Sequence, residues 1–265
     1  PHLKGQPDAD KPVAELWFGA HPGDPSTVDG RLLNEVIAED PAGQLGSRVS
    51  AEYGERLPFL LKVLAAEEPL SLQAHPSKTQ AEEGFARENA AGIELTASNR
   101  NYKDDNHKPE LIVALTDFYA MAGFRPLART RELFAALECP ELDHYVAMLD
   151  DDPSATTESA NLRVLFTTWI TIPAAKRKEL ISAIVAAGER LIAADPADWK
   201  SRVMSTVLDL NQRYPGDIGV LGALLLNHIE LSPGEAVYLD AGQLHAYVSG
   251  LGVEIMANSD NVLRG

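Results

Sequence analysis

A single cysteine, Cys139, is all that the 265 residues contain, so no disulfide can form within the chain and no Cys-X-X-Cys motif exists. No apolar run approaches the ~20 residues that a membrane-spanning helix needs. Basic residues are scarce too: 23 Lys and Arg stand against 39 Asp and Glu, a formal net charge of −16. A surplus of that sign repels the phosphate backbone of a nucleic acid and an anionic membrane surface. No low-complexity tract or internal repeat is present. The balance of 45% hydrophobic and 23% charged residues is that of a globular protein with a sizeable core, in one large domain or two modest ones. The opening stretch, Gly5-Gln6-Pro7-Asp8-Ala9-Asp10, has no charged-then-apolar export signal. The expectation is a protein of a reducing, cytoplasmic compartment that acts on a small molecule, with no nucleic-acid or membrane partner.

The period of the apolar residues separates three regions. From about Pro126 to Tyr214 the spacing is helical: Leu180, Ile184, Ala187 and Leu191 share one face, as do Val203, Val207, Leu210 and Tyr214. Pro140, Pro153, Pro173 and Pro196 fall between the periodic stretches, where proline begins or ends a helix without breaking it. Four or five short helices are predicted. On either side, short runs such as Leu111-Ile112-Val113-Ala114-Leu115 and Ala236-Val237-Tyr238-Leu239 have strand length and β-branched or aromatic content. Residues 1–125 and 216–265 are therefore expected to close into one β-rich domain, and 126–215 to form a helical insertion.

Three segments carry candidate chemistry. In Leu72-Gln73-Ala74-His75-Pro76, residues two apart on a strand point to one face, so Gln73 and His75 can offer an amide oxygen and an imidazole to one point, half of a metal site. The plain alternative is a histidine beside a proline turn. Tyr102-Lys103-Asp104-Asp105-Asn106-His107-Lys108-Pro109-Glu110 would usually be a solvated turn. Glu110, however, begins an apolar strand, where a carboxylate is held rigidly enough to bind a hard or borderline metal ion. In Pro233 to Tyr247, a turn, a strand and a second tight turn at Gly242 form a hairpin that delivers His245 inward. Its spacing resembles the second motif of the cupin superfamily, whose jelly-roll barrels use that histidine as a metal ligand. Asp240 and Ser249 stand where that motif usually has proline and asparagine.

Taken in order, Ala14-Glu15-Leu16-Trp17-Phe18-Gly19-Ala20-His21-Pro22, Gln73-Ala74-His75-Pro76, Tyr102 to Glu110, Leu224-Leu225-Leu226-Asn227 and Ser259-Asp260-Asn261-Val262-Leu263-Arg264 resemble the type I mannose-6-phosphate isomerase family. The resemblance covers nearly all of the chain outside the helical block. It implies a cupin jelly roll with a helical domain and one zinc ion held by Gln73, His75, Glu110 and His245. The expected activity is interconversion of mannose 6-phosphate and fructose 6-phosphate. Family members begin with a further Tyr-Ala-Trp-Gly strand and continue past the arginine into a second jelly roll, so truncation at both ends is expected.

An aldose–ketose isomerisation moves a proton between two carbons through an enediol, and needs a base and a stabiliser of the oxyanion. His107, Lys108, Glu254 and Asp260 are the candidate bases, His107 first and Glu254 second, because an imidazole needs the least tuning. The resemblance places Arg264 in the active site and makes Lys62, Ser71 and Lys78 candidate phosphate contacts. Trp17 and Tyr247 are candidates for the sugar pocket, with core packing as their plainer role. His21, His144 and His228 have no paired ligand and are read as structural. The competing functions are an iron-holding cupin oxygenase and a non-catalytic sugar-binding protein.

Overall fold

The computed structural model describes residues 13–149 and 155–264. In chain order the elements are β1 (Glu15–Gly19), β2 (Thr27–Val28), β3 (Arg31–Leu32), α1 (Leu33–Glu39), α2 (Pro41–Leu45), α3 (Ser47–Tyr53), β4 (Phe59–Ala66), β5 (Gln73–Ala74), α4 (Lys78–Ala90), β6 (Glu110–Ala114) and β7 (Phe118–Phe124). There follow α5 (Leu127–Leu137), α6 (Pro140–Val146), α7 (Ala155–Thr171), α8 (Ala174–Ala194), α9 (Trp199–Arg213), α10 (Ile218–Ala223), β8 (Leu226–Leu231), β9 (Ala236–Leu239), β10 (His245–Ala257) and β11 (Leu263–Arg264). The contacts divide the chain into two units, one of residues up to Ala120 with Ile229–Arg264, the other Met121–His228.

The first unit is built on antiparallel pairing in the order β1, β4, β10, β6, β9. Its register sets Trp17, Lys62, Glu254 and Ile112 opposite one another in a single row. One step along, Leu60, Met256 and Glu110 form the next row of the same face. Strand side chains alternate between faces, and here every second residue is buried: Leu60, Lys62, Leu64 and Ala66 on β4, and Glu110, Ile112 and Ala114 on β6. Lys62, Glu110 and Glu254 thus sit in the inward phase among apolar neighbours. Buried charges are retained only when paired or put to use. At the end of the sheet β5 bridges β10 and β11, with Gln73 opposite both His245 and Arg264.

Two expectations for this unit need correction. Its N-terminal part is not simply β-rich, since α1 to α4 lie within it. Helix α4 starts from a capping box in which Ser77 Oγ accepts from Gln80 N–H while the Gln80 side chain accepts from Ser77 N–H. The segment before His245 is not a hairpin either: β9 and β10 pair with opposite edges of β6. The connection therefore crosses over one strand. Its turn needs Gly242, which has φ +81° and donates its N–H to the His75 carbonyl at 2.7 Å.

In the second unit the helical period is realised as five helices between Leu127 and Arg213, of which α7, α8 and α9 are 15 to 21 residues long. Leu180, Ile184 and Ala187 of α8 and Val203, Val207 and Leu210 of α9 are buried, as their spacing requires. Tyr214, the last of that stripe, is instead the exposed C-cap of α9. Pro140 occupies the first turn of α6 and Pro173 caps α8, whereas Pro153 lies outside the described residues. No helix among the described residues is long and apolar enough to cross a membrane.

Candidate metal centre

His75, Glu110 and His245 reach one point from the residue after β5, the start of β6 and the start of β10, and each is at most 2% exposed. His75 Nε2 lies 3.2 Å from Glu110 Oε1, and His245 Nε2 lies 3.3 Å from Glu110 Oε2. The far side of each ring fixes its tautomer. His75 Nδ1 is 2.7 Å from the Asn261 carbonyl and His245 Nδ1 is 2.9 Å from the Gln243 carbonyl. A carbonyl can only accept, so both Nδ1 atoms carry protons and, in the neutral form that binds a metal, each ring turns the Nε2 lone pair inward.

Four acceptors then face one another in a buried space. Lys108 Nζ, 3.2 Å from Glu110 Oε1, and Gln73 Nε2, 3.3 Å from His245 Nε2, each satisfy one. His75 Nε2 and Glu110 Oε2 remain without a hydrogen-bond partner. Two imidazoles and a carboxylate with converging lone pairs and no proton between them have the donor chemistry of a divalent-metal site. Gln73 sits against the same centre, but presents its amide nitrogen where the spacing nominated the oxygen; a half-turn about the terminal bond exchanges the two. Burial raises the Glu110 carboxyl, but its contacts with His245 and His75 and the Lys108 charge outweigh it, holding the group well below the usual carboxylate range.

Beside this centre lies a cavity of about 280 Å³ whose polar wall is Glu15, Lys62, Ser71, Gln73, Lys108, Glu110, Tyr247 and Glu254, with Leu64, Leu70 and Met256 among its apolar residues. Glu254 accepts from Tyr247 Oη at 2.6 Å. Its carboxyl is pushed up to about 7, by burial first and by the charge of Glu110 second. Lys62 Nζ is 3.2 Å from Glu15 Oε2 and 4.4 Å above the Trp17 ring.

Several nominated residues stand apart from this cavity wall. His107 is not part of it: it lies half-buried in the irregular segment ahead of β6, where the next residue, Lys108, is the one that is buried on the wall. Asp260 is exposed and bonds His21 Nε2 at 3.2 Å. Lys78 is exposed and donates to the Asp105 carbonyl at 2.8 Å, holding the loop ahead of Lys108. Trp17 lies behind Lys62 and donates to Glu15 at 2.7 Å. Arg264 is described only by its backbone, which pairs with Gln73. His144 is exposed on α6, and His228 bonds the Ala223 carbonyl at 3.0 Å. Sequence reasoning missed Glu15 and Asn261. The available signals were a glutamate two residues before a strand tryptophan, and an asparagine flanked by Asp260 and Val262.

Sheet and site together define a class: a cupin-type fold with a buried His-Glu-His cluster that could hold a metal ion. Residues 3–127 match the family model described as phosphomannose isomerase type I, catalytic domain. The chain is similar to mannose-6-phosphate isomerase of Escherichia coli strain K12, 41% identical over 261 residues that make up 96% of this chain and 62% of the relative. Mannose-6-phosphate isomerase 1 of Arabidopsis thaliana is 37% identical over 270 residues, 97% of this chain and 59% of that protein. A crystal structure of mannose 6-phosphate isomerase bound with zinc and yttrium superposes with a TM-score of 0.83 at 38% identity, over 99% of this chain and 64% of that one. The chain thus spans about three fifths of the length of the curated relatives it matches.

Proposed function

We propose that the chain is a zinc-dependent aldose–ketose isomerase that interconverts mannose 6-phosphate and fructose 6-phosphate. The observation that carries this reading is the buried convergence of two imidazole lone pairs and a carboxylate beside a cavity walled by a second, raised carboxyl. His75, Glu110 and His245, with Gln73 after its half-turn, would hold the metal. Such an ion supplies positive charge where an oxyanion develops. The names of the relatives and the zinc-bound neighbours support the same assignment.

Glu254 is the base in this reading. It lies on the inward face, opposite Lys62, and the Tyr247 hydroxyl fixes the carboxylate through its Oε1. A carboxyl held near the working pH takes and returns a proton efficiently. His107, the first choice from sequence, cedes this role because its side chain is not on the cavity wall. Lys62 and Arg264 take the phosphate, and Lys108 steadies Glu110. Neither an oxygenase nor a simple sugar binder needs a raised carboxylate at this place. The free, buried Cys139 and the acidic surface fit a cytoplasmic location.

An enediol route lets the transferred hydrogen exchange with solvent while it rests on the base. Fructose 6-phosphate formed in heavy water should therefore carry solvent deuterium at C1. Product free of deuterium would point to direct hydride transfer and defeat the assignment of a base.

A further inference from the structure

We propose that Asn261 is a positioning residue for the metal centre, setting the tautomer of His75 and clamping the loop that delivers Lys108 and Glu110. The proposal rests on the reading of His75, Glu110 and His245 as metal ligands. Asn261 is 0% exposed. Its backbone carbonyl accepts from His75 Nδ1 at 2.7 Å, which turns Nε2 toward Glu110. Its side-chain oxygen accepts from the N–H groups of Lys103 at 2.7 Å and Asp104 at 3.3 Å. Its side-chain nitrogen donates to the carbonyls of Asp104 at 2.8 Å and Asn106 at 2.9 Å. One residue thus holds the ligand that follows β5 and the irregular segment that runs directly into a ligand on β6.

Only an amide does this. Two backbone donors meet one atom and two backbone acceptors meet the other, a pattern that neither a carboxylate nor an apolar side chain can answer. The far end of the same segment is fixed independently, because Glu88 of α4 accepts from the N–H groups of Asn101 at 3.1 Å and Tyr102 at 2.9 Å. Helix α4 itself begins three residues after His75. Asn261 therefore closes a ring of contacts from His75 through α4 and the 101–106 segment back to His75.

The test reads the ring as well as the metal. In metal-free wild-type protein, ¹⁵N–¹H correlation of the imidazoles should show the His75 proton on Nδ1. Asn261→Asp keeps the size of the side chain but turns an acceptor toward two carbonyls. It should lower zinc affinity about 10–100-fold in competition with a chromophoric chelator, the usual effect of disturbing the partner of a ligating histidine. It should also mix the His75 tautomers and shift the cobalt(II) absorption spectrum. If that variant fails to fold, Asp104→Asn, which alters the Asp104 carboxylate bonded to Ser259 Oγ and Asp260 N–H, should give a several-fold loss of zinc affinity. A His75 proton on Nε2 in the metal-free wild type overturns the proposal. So does wild-type zinc affinity in folded Asn261→Asp, or in Asp104→Asn where the first variant does not fold. Wild-type affinity in His75→Ala would instead overturn the metal reading beneath it.

Discussion

Glu254 sets stability against chemistry, and the size of the conflict follows from its surroundings. The carboxyl titrates at about 7 in place of 4.5, because burial and then the negative charge of Glu110 penalise the ionised form. The folded protein keeps a proton that the unfolded chain releases above about pH 4.5. The stability tied to that proton is complete below about pH 4.5 and is lost as pH rises through about 7. Each tenfold change in acidity is worth about 1.4 kcal/mol, so ionised Glu254 costs the metal-free protein roughly 3 kcal/mol at pH 8. Glu254→Gln keeps the shape and a partner for Tyr247 Oη but cannot ionise. Urea unfolding of metal-free protein should show it more stable than wild type by up to about 3 kcal/mol at pH 8 and equal at pH 4. With metal bound the gap should narrow, since a cation beside Glu110 offsets the second of the two causes. Turnover should fall by ~10²–10⁴ with metal retained. A stability difference that stays flat between pH 4 and 8 would refute the reasoning.

Two further substitutions separate the base from its neighbours and the scaffold from the site. His107→Asn should keep turnover within a few-fold of wild type in a steady-state assay, because the side chain is off the cavity wall; a hundredfold loss with metal still bound would return the role to His107. Ile184→Ala, at a fully buried position of α8, should cost roughly 2–5 kcal/mol in urea unfolding while activity per folded molecule persists.

Much of the site was legible because its signals are local. Glu110 at the head of an apolar strand, His75 two residues beyond Gln73, and His245 after the Gly242 turn each announce themselves within a few residues. Lys62 and Glu254 were nominated through the family resemblance, and only the paired strands show them as buried charges. What stayed hidden depends on pairing between distant segments. Whether β9 pairs with β10 or with β6 is decided by the sheet as a whole, so the turn before His245 resembles a hairpin that does not form. Where His107 lies follows from the irregular segment ahead of β6, which is held by bonds from the distant Lys78 and Asn261. Helices α1 to α3 are five to seven residues long, too short to show an apolar period. Helix α4 buries only Ala81, Gly84 and Glu88, so it has no apolar stripe to read. Asn261 stood in a recognised motif, yet its bonds reach across to residues more than 150 positions earlier, and no local pattern reports them.

The central claim is that a divalent ion on His75, Glu110 and His245 is required for sugar-phosphate isomerisation. The most direct measurement follows conversion of mannose 6-phosphate by chelator-treated protein as zinc is added back, with metal content determined on the same samples. The account predicts a rate near background without metal that climbs to a plateau at one zinc per chain, and no such recovery in His75→Ala. Full activity in the metal-free protein, or a fully zinc-loaded wild-type chain that converts no substrate, would contradict it.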